Sequence, residues 1–82
     1  MATTEKQNVK LINITTTTTL IDLNTIAILN NSEDALTISV DGGTNEISLV
    51  NGQSLSLESS AGFTLPDIEL SGSNMNAQVV TT

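Results

Sequence analysis

The sequence predicts an all-β protein, a small antiparallel β-sandwich of the Ig-like or jelly-roll-like kind with an extended N-terminal arm. Val, Ile and Thr together make up 26 of the 82 residues, and these β-branched side chains favour strands over helices. Apolar and polar residues alternate in several short runs, the period of a half-buried strand. Turn-forming clusters of Gly, Asn, Asp and Ser separate these runs by about 8–12 residues, as in a sandwich or barrel.

The N-terminal third supplies predicted strands at 8–14, 17–23 and 25–29. Its apolar blocks place neighbours on opposite faces, Leu11 beside Ile12 and Leu20 beside Ile21. Such two-sided strands either lie centrally in a two-layer core or contact a partner chain. The tract Thr15–Thr19 is strand plus turn, or alternatively an arm that lies against another subunit. Residues 1–10 are polar and form the predicted arm, and residues 11–82 form the single sandwich domain.

The middle of the chain predicts strands at 35–41, 46–50 and 53–58, joined as a three-stranded meander. Pairing Val40 with Ile47, and Ile38 with Leu49, keeps the apolar side chains on one face, because directly opposed residues share a face. That register closes the turn on Gly42–Asn45 and sets Asp41 near Glu46. A three-residue loop at 51–53 then pairs 49 with 55 and 47 with 57, with Gly52 supplying a positive φ.

The C-terminal part predicts strands at 63–65, 67–71 and 76–81. Pro66 suits the start of a strand, where no ladder hydrogen bond is lost. Phe63 is the single aromatic residue, interpreted as a core plug at a sheet corner, with an interface anchor as the alternative. The predicted core consists of Ile38, Val40, Ile47, Leu49, Leu55, Leu57, Phe63, Leu65, Ile68 and Leu70.

Charge and composition exclude several function classes. The net charge is −7, and the two positive side chains are Lys6 and Lys10. Nucleic-acid binding requires cations that displace counterions from phosphates, so neither DNA nor RNA is an expected partner. An anionic membrane surface is disfavoured for the same reason. The N-terminus shows no signal-peptide pattern, and no apolar run is long enough to cross a membrane as a helix.

We expect no enzymatic activity, no cofactor and no metal. The chain has no Cys and no His, which removes imidazole catalysis and the usual zinc ligands. A serine nucleophile would have to use Lys6 or Lys10 as its base. Asp67 and Glu69 share a predicted strand face, but they and the turn carboxylates are interpreted as solvated. The lack of Trp and Tyr argues against glycan binding.

Four segments together resemble a family of small β-sandwich structural proteins from tailed bacteriophage virions: head-decoration (cement) proteins and fibre or tail-accessory proteins. The segments are ALTISVDGGT at 35–44, NGQSLSL at 51–57, FTLPDIELSG at 63–72 and AQVV at 77–80. The resemblance implies a non-enzymatic protein on the virion capsid surface, synthesised in the host cytoplasm. It also implies binding to the major capsid protein or another virion protein, as a homo-oligomer, with a trimer favoured.

The leading interpretation is therefore a structural protein that decorates and cements a phage capsid by burying surface across capsid subunits, with segment 1–24 as a docking arm. A fibre or tail-accessory protein, or an adhesin-type binding module, is the main alternative. A β domain inside some larger assembly is the third. The predicted partner-binding residues all lie in the N-terminal segment: Lys6, Lys10, Leu11, Ile12, Ile14, Leu20 and Ile21.

Overall fold

The computed structural model describes residues 9–40 and 45–82. These residues form eight β-strands and no helix, which confirms the predicted all-β class. The strands are β1 (Lys10–Ile14), β2 (Thr18–Leu20), β3 (Thr25–Asn30), β4 (Leu36–Val40), β5 (Asn45–Leu49), β6 (Ser54–Glu58), β7 (Ile68–Gly72) and β8 (Ala77–Thr81).

The strands form two antiparallel four-stranded sheets with the orders β1-β8-β3-β6 and β2-β7-β4-β5. First pairs with last, second with seventh, third with sixth and fourth with fifth. One long hairpin thus runs through the whole chain, and it rolls up so that β8 also pairs with β3 and β7 with β4. This strand order is that of a jelly roll, one of the two predicted kinds of sandwich.

The core lies between the two sheets and is almost entirely aliphatic. Alternate residues of β3, β7 and β8 point inward, so the exposure of these strands alternates between buried and exposed. The fully buried aliphatic side chains are Ile26, Ile28, Leu36, Ile38, Ile68, Leu70 and Val79. Each one stabilises the fold by roughly 1.5–3 kcal/mol through burial alone.

The predicted register of the β4–β5 hairpin is wrong by two residues. Ile38 pairs with Ile47, and Leu36 pairs with Leu49. A shift of two leaves every side chain on its original face, so apolar alternation does not distinguish the two registers. The predicted Asp41–Glu46 pair is also wrong, since Glu46 lies opposite Ser39. The turn itself, 41–44, lies outside the described residues.

The predicted meander is wrong as well. β5 and β6 lie in different sheets, and β6 pairs with β3, where Leu55 faces Ile28 and Leu57 faces Ile26. The segment 50–53 therefore crosses from one sheet to the other. Gly52 has the predicted positive φ, +84°. Alternation shows which side of a strand is apolar, but it does not show which strand is its neighbour.

The predicted core is correct in part. Ile38, Leu49, Ile68 and Leu70 are buried, and Val40, Leu55, Leu57 and Leu65 are half-buried against them. Two members are wrong: Ile47 is 41% exposed because β5 is an edge strand, and Phe63 is 70% exposed. Residues 63–65 are not a strand.

The segment from Lys10 onward is not a free arm. Residues 10–14 are β1 of one sheet and residues 18–20 are β2 of the other, so this part of segment 1–24 belongs to the sandwich and is not an extended arm. Its docking role stays a prediction. The threonine tract is divided, with Thr15–Thr17 in the connection and Thr18 and Thr19 in β2. Residues 1–8, which carry most of the predicted arm, lie outside the described residues.

The two ends of the sandwich are built differently. At the asparagine end, which consists of loops 31–35, 50–53 and 73–76, hydrogen bonds tie the loops to one another. Asn51 donates from Nδ2 to the Ser32 carbonyl, the Asn76 amide donates to Ser32 Oγ, and Asn74 Nδ2 donates to Asp34 Oδ2. The opposite end consists of loops 21–24 and 59–67, and we call it the Phe63 end.

Candidate functional site

A depression opens between the edge strands β1 and β2, and we call it the β1–β2 cleft. It has a volume of about 420 Å³, and its lining includes Lys10, Ile12, Leu20, Ile21 and Asp22. β1 and β2 are consecutive in the chain but lie at the edges of different sheets. The cleft therefore lies along the side of the sandwich where each sheet ends in an edge strand.

The outer face of the β1-β8-β3-β6 sheet adjoins this cleft at β1 and is almost free of charge. Its central row runs from Leu11 through Val80 and Ala27 to Ser56, each directly opposite the next. Opposed side chains of this kind lie about 5 Å apart. Leu11 is 78% exposed and Val80 is 40% exposed. They form an aliphatic strip in contact with solvent, which we call the Leu11 strip.

The outer face of the other sheet has the opposite chemistry. Its corresponding row runs from Thr19 through Glu69 and Ser39 to Glu46. Two carboxylates thus flank a serine, two strand spacings or roughly 10 Å apart. The protein is chemically two-sided, with a neutral, partly apolar sheet and an acidic, hydroxyl-rich sheet. Water solvates the carboxylates and hydroxyls of the acidic face at little cost in free energy. Contact with water is less favourable for the apolar Leu11 strip, and a partner that buries it would lower the free energy.

The Phe63 end presents the aromatic side chain on a well-tied loop. The Phe63 amide donates to the Ser60 carbonyl at 3.0 Å across a turn, and Gly62 has the positive φ (+84°) that this turn needs. The Leu65 amide donates to the Leu23 carbonyl at 2.7 Å, which fixes the loop to residues 21–24. Beside Phe63 lies a second depression, of about 410 Å³, that is lined mostly by polar residues.

The predicted partner-binding residues separate into distinct groups. Lys10, Ile12, Leu20 and Ile21 line the β1–β2 cleft. Leu11 lies on the other side of β1, in the Leu11 strip. Ile14 is only 3% exposed and packs in the core, so its side chain offers no surface to a partner. Lys6 lies outside the described residues.

Several exposed apolar residues of the described chain were not in the predicted partner-binding set, and two of them, Val80 and Phe63, belong to the surfaces described above. Val80 follows the buried Val79 in β8, and this pair of adjacent apolar residues is the same two-sided signal that singled out Leu11 and Ile12. Phe63 gave no such signal, because a lone aromatic between Gly and Thr fits a corner in the core as well as a surface.

Neither a metal-binding group nor a membrane-spanning helix is found in the described residues. Nowhere in 9–40 or 45–82 do three carboxylates come together as a metal-binding group. The same residues include no helix that is long and apolar enough to cross a membrane. Comparison of the chain with protein-family models, with curated proteins and with solved structures gave no match.

Proposed function

We propose that this protein is a structural virion protein that decorates and cements a phage capsid, and that it docks through the side of the sandwich built by β1. The main support for this proposal is that exposed apolar residues lie on both sides of that strand. The β1–β2 cleft lies on one side of β1, and the Leu11 strip lies on the other. A partner that straddles β1 covers both at once.

Charge supports the choice of this surface. The chain has a net charge of −7, so a docking surface that carries carboxylates would repel an acidic neighbour, including another copy. Along the Leu11 strip no charged residue occurs, and at the cleft the positive Lys10 offsets the charge of the single lining carboxylate side chain, Asp22. Burial of Leu11, Val80 and Ile21 provides the attraction, which scales with the apolar area removed from water.

Cosedimentation tests this proposal. The purified protein is mixed with capsids assembled from the major capsid protein encoded in the same genome. We expect the wild type to pellet with the capsids, and the double variant Leu11→Ser/Ile21→Ser to bind at least roughly tenfold more weakly. Val50→Ser is the matched control, because Val50 is exposed to a similar degree as Ile21 but lies at the asparagine end. Equal losses in both variants, or a wild type that stays in the supernatant, would contradict the proposal.

The oligomeric state is a separate measurement. The proposed assembly is a homo-oligomer, with a trimer favoured, and light scattering of the free protein measures its mass. If the free protein is a monomer and still binds capsids, the docking proposal stands, but the proposed trimer in solution is wrong. A monomer that does not bind capsids removes both.

A fibre or tail-accessory protein, or an adhesin-type binding module, is the second candidate. The observation that favours it is Phe63, because a 70% exposed aromatic on a fixed loop is typical of an interaction site rather than of a core. Electron microscopy of virions labelled on this protein separates the two candidates by showing the head or the tail.

A further inference from the structure

We propose that the depression at the Phe63 end is a binding site for a neutral saccharide. Its volume of about 410 Å³ lies within the roughly 300–1,000 Å³ that small-molecule sites occupy. Phe63 provides an aromatic wall, and Asn24, Glu58, Ser59 and Ser60 provide polar groups around it. The site does not depend on the proposed docking surface, because neither Phe63 nor Glu58 lines the β1–β2 cleft.

The backbone of the loop that carries Phe63 is held in place by hydrogen bonds. The turn bond from the Phe63 amide to the Ser60 carbonyl closes the loop tip, and the Ser59 amide donates to the Asn24 carbonyl at 2.8 Å at its base. An exposed aromatic on a fixed backbone loses little entropy when a ligand stacks against it. A flexible loop would have to be ordered first, at a cost in affinity.

The polar groups around Phe63 remain available to a ligand. The side chains of Asn24, Glu58 and Ser60 make no hydrogen bond to another described residue. At the asparagine end, by contrast, the amides of Asn51 and Asn74 donate to neighbouring loops. Asparagine side chains thus bond to neighbouring loops at the asparagine end, whereas the Asn24 side chain faces solvent at the Phe63 end.

The combination of groups selects the ligand chemistry. A pyranose has an apolar C–H face that stacks on an aromatic ring, and an edge of adjacent hydroxyls. Those hydroxyls donate to a carboxylate such as Glu58 and accept from an amide such as that of Asn24. The described lining contains no cation, and Glu58 repels a negatively charged guest. The site therefore favours a neutral sugar over a uronic acid, a sialic acid or a phosphate.

A positively charged side chain from a protein partner is the competing occupant, since it would pair with Glu58 and lie over Phe63. It would leave the amide of Asn24 and the hydroxyls of Ser59 and Ser60 without a function. A polyhydroxylated ligand, by contrast, uses both the aromatic side chain and the hydrogen-bonding groups beside it.

Titration of the ¹⁵N-labelled full chain, followed by NMR, tests the site. The probes are methyl α-D-glucoside, methyl α-D-galactoside and N-acetyl-D-glucosamine as neutral sugars, D-glucuronate as the acidic sugar, and N-acetyl-arginine amide as the cation. We expect at least one neutral sugar to shift the amide signals of residues 59–63 and of Asn24 saturably, with a millimolar dissociation constant. Glucuronate and the arginine amide should give no saturable shift there.

Two variants and two matched controls complete the test. Phe63→Ala should weaken sugar binding roughly tenfold or more, and Glu58→Gln should weaken it severalfold. Val50→Ala removes an exposed apolar group at the asparagine end, and Glu69→Gln removes a carboxylate on the other sheet; both should bind like the wild type. The proposal is overturned if no neutral sugar binds, if Phe63→Ala binds normally, or if the arginine amide binds more tightly than every sugar.

Discussion

Asn30 donates a hydrogen bond from Nδ2 to the carbonyl oxygen of Leu49 at 2.8 Å, and this bond joins the two sheets. Asn30 ends β3 in one sheet, and Leu49 ends β5 in the other. The same Nδ2 donates to the Asp34 carbonyl, and Oδ1 accepts from the Ser32 amide. The Asn30 side chain is fully buried, and all three of these hydrogen bonds join it to backbone groups.

We predict that Asn30→Ala lowers the free energy of unfolding by about 3 kcal/mol, because it removes three hydrogen bonds and leaves buried backbone groups of Ser32 and Leu49 unpaired. Urea denaturation followed by circular dichroism measures the change. Asn13→Ala is the control, since Asn13 is an exposed asparagine in β1 of the same sheet. A loss below about 1 kcal/mol would show that water replaces these bonds readily.

Ile38 and Ile47 face each other across β4 and β5, yet they differ in burial. Ile38 is fully buried in a central strand, whereas Ile47 lies on an edge strand. We expect Ile38→Ala to cost about 3–4 kcal/mol, because it leaves a cavity, and Ile47→Ala to cost about 1 kcal/mol. Denaturant titrations of both variants compare the same substitution in one cross-strand pair. Similar losses would contradict the register or the burial of β5.

Gly72 approaches the β3–β4 connection so closely that a side chain would be crowded there. A Cβ atom at this position would lie 3.0 Å from the Ala35 carbonyl oxygen, and the Gly72 φ is +158°. We predict that Gly72→Ala costs about 1–3 kcal/mol, since backbone on both sides must shift. Thermal unfolding measures the effect, with Ser73→Ala as the neighbouring exposed control. An unchanged midpoint would show that the end of β7 yields easily.

Phe63 should contribute little to stability. Its side chain is mostly in solvent, so Phe63→Ser should change the free energy of unfolding by no more than about 0.5 kcal/mol. A core plug, as the sequence suggested, would instead cost several kcal/mol on truncation. Urea denaturation of the single variant distinguishes the two roles, and a large loss would place Phe63 back in the core.

Local patterns predicted the strands well and their neighbours poorly. All eight strands of the described residues fall within or close to predicted ranges, and the predicted strand at 63–65 is the one that does not form. Period-2 alternation and turn residues are properties of short segments, so a local pattern is enough to predict them. The partner of β6 was wrong because Leu55 and Leu57 match the inward residues of β3 and of β5 equally well. Burial of Asn30 was not predicted either, since an asparagine in a turn cluster is usually exposed. Two of its partners, Ser32 and Asp34, lie in the next loop, but the third, Leu49, lies in the other sheet.

The sequence indicated some of the residues at the candidate surfaces, but not how the fold arranges them. Adjacent apolar residues such as Leu11 and Ile12 indicated either a central strand or a contact with a partner chain. The structure places β1 at the edge of its sheet, with Leu11 in solvent. The same pattern did not reveal that Ile14 is buried. Ile14 lies opposite the buried Ala77 on the inward face of the sheet, and this pairing joins residues that are far apart in the sequence. The depression beside Phe63 depends on loops 21–24 and 59–67 meeting, which no local pattern encodes.

The C-terminal strand, β8, is an interior strand of its sheet. β8 lies between β1 and β3 and pairs with both along its full length. Without it, two strands of one sheet lose their neighbour and the buried side chains Ala77 and Val79 are missing from the core. We therefore predict that a chain ending at Asn76 does not fold, whereas removal of Thr82 alone costs less, because Thr82 contributes only end contacts with Asn24 and Thr25. Circular dichroism and cooperative urea unfolding measure both chains. A cooperative transition in the chain that ends at Asn76 would show that seven strands suffice, and that β8 adds to a sheet that already exists.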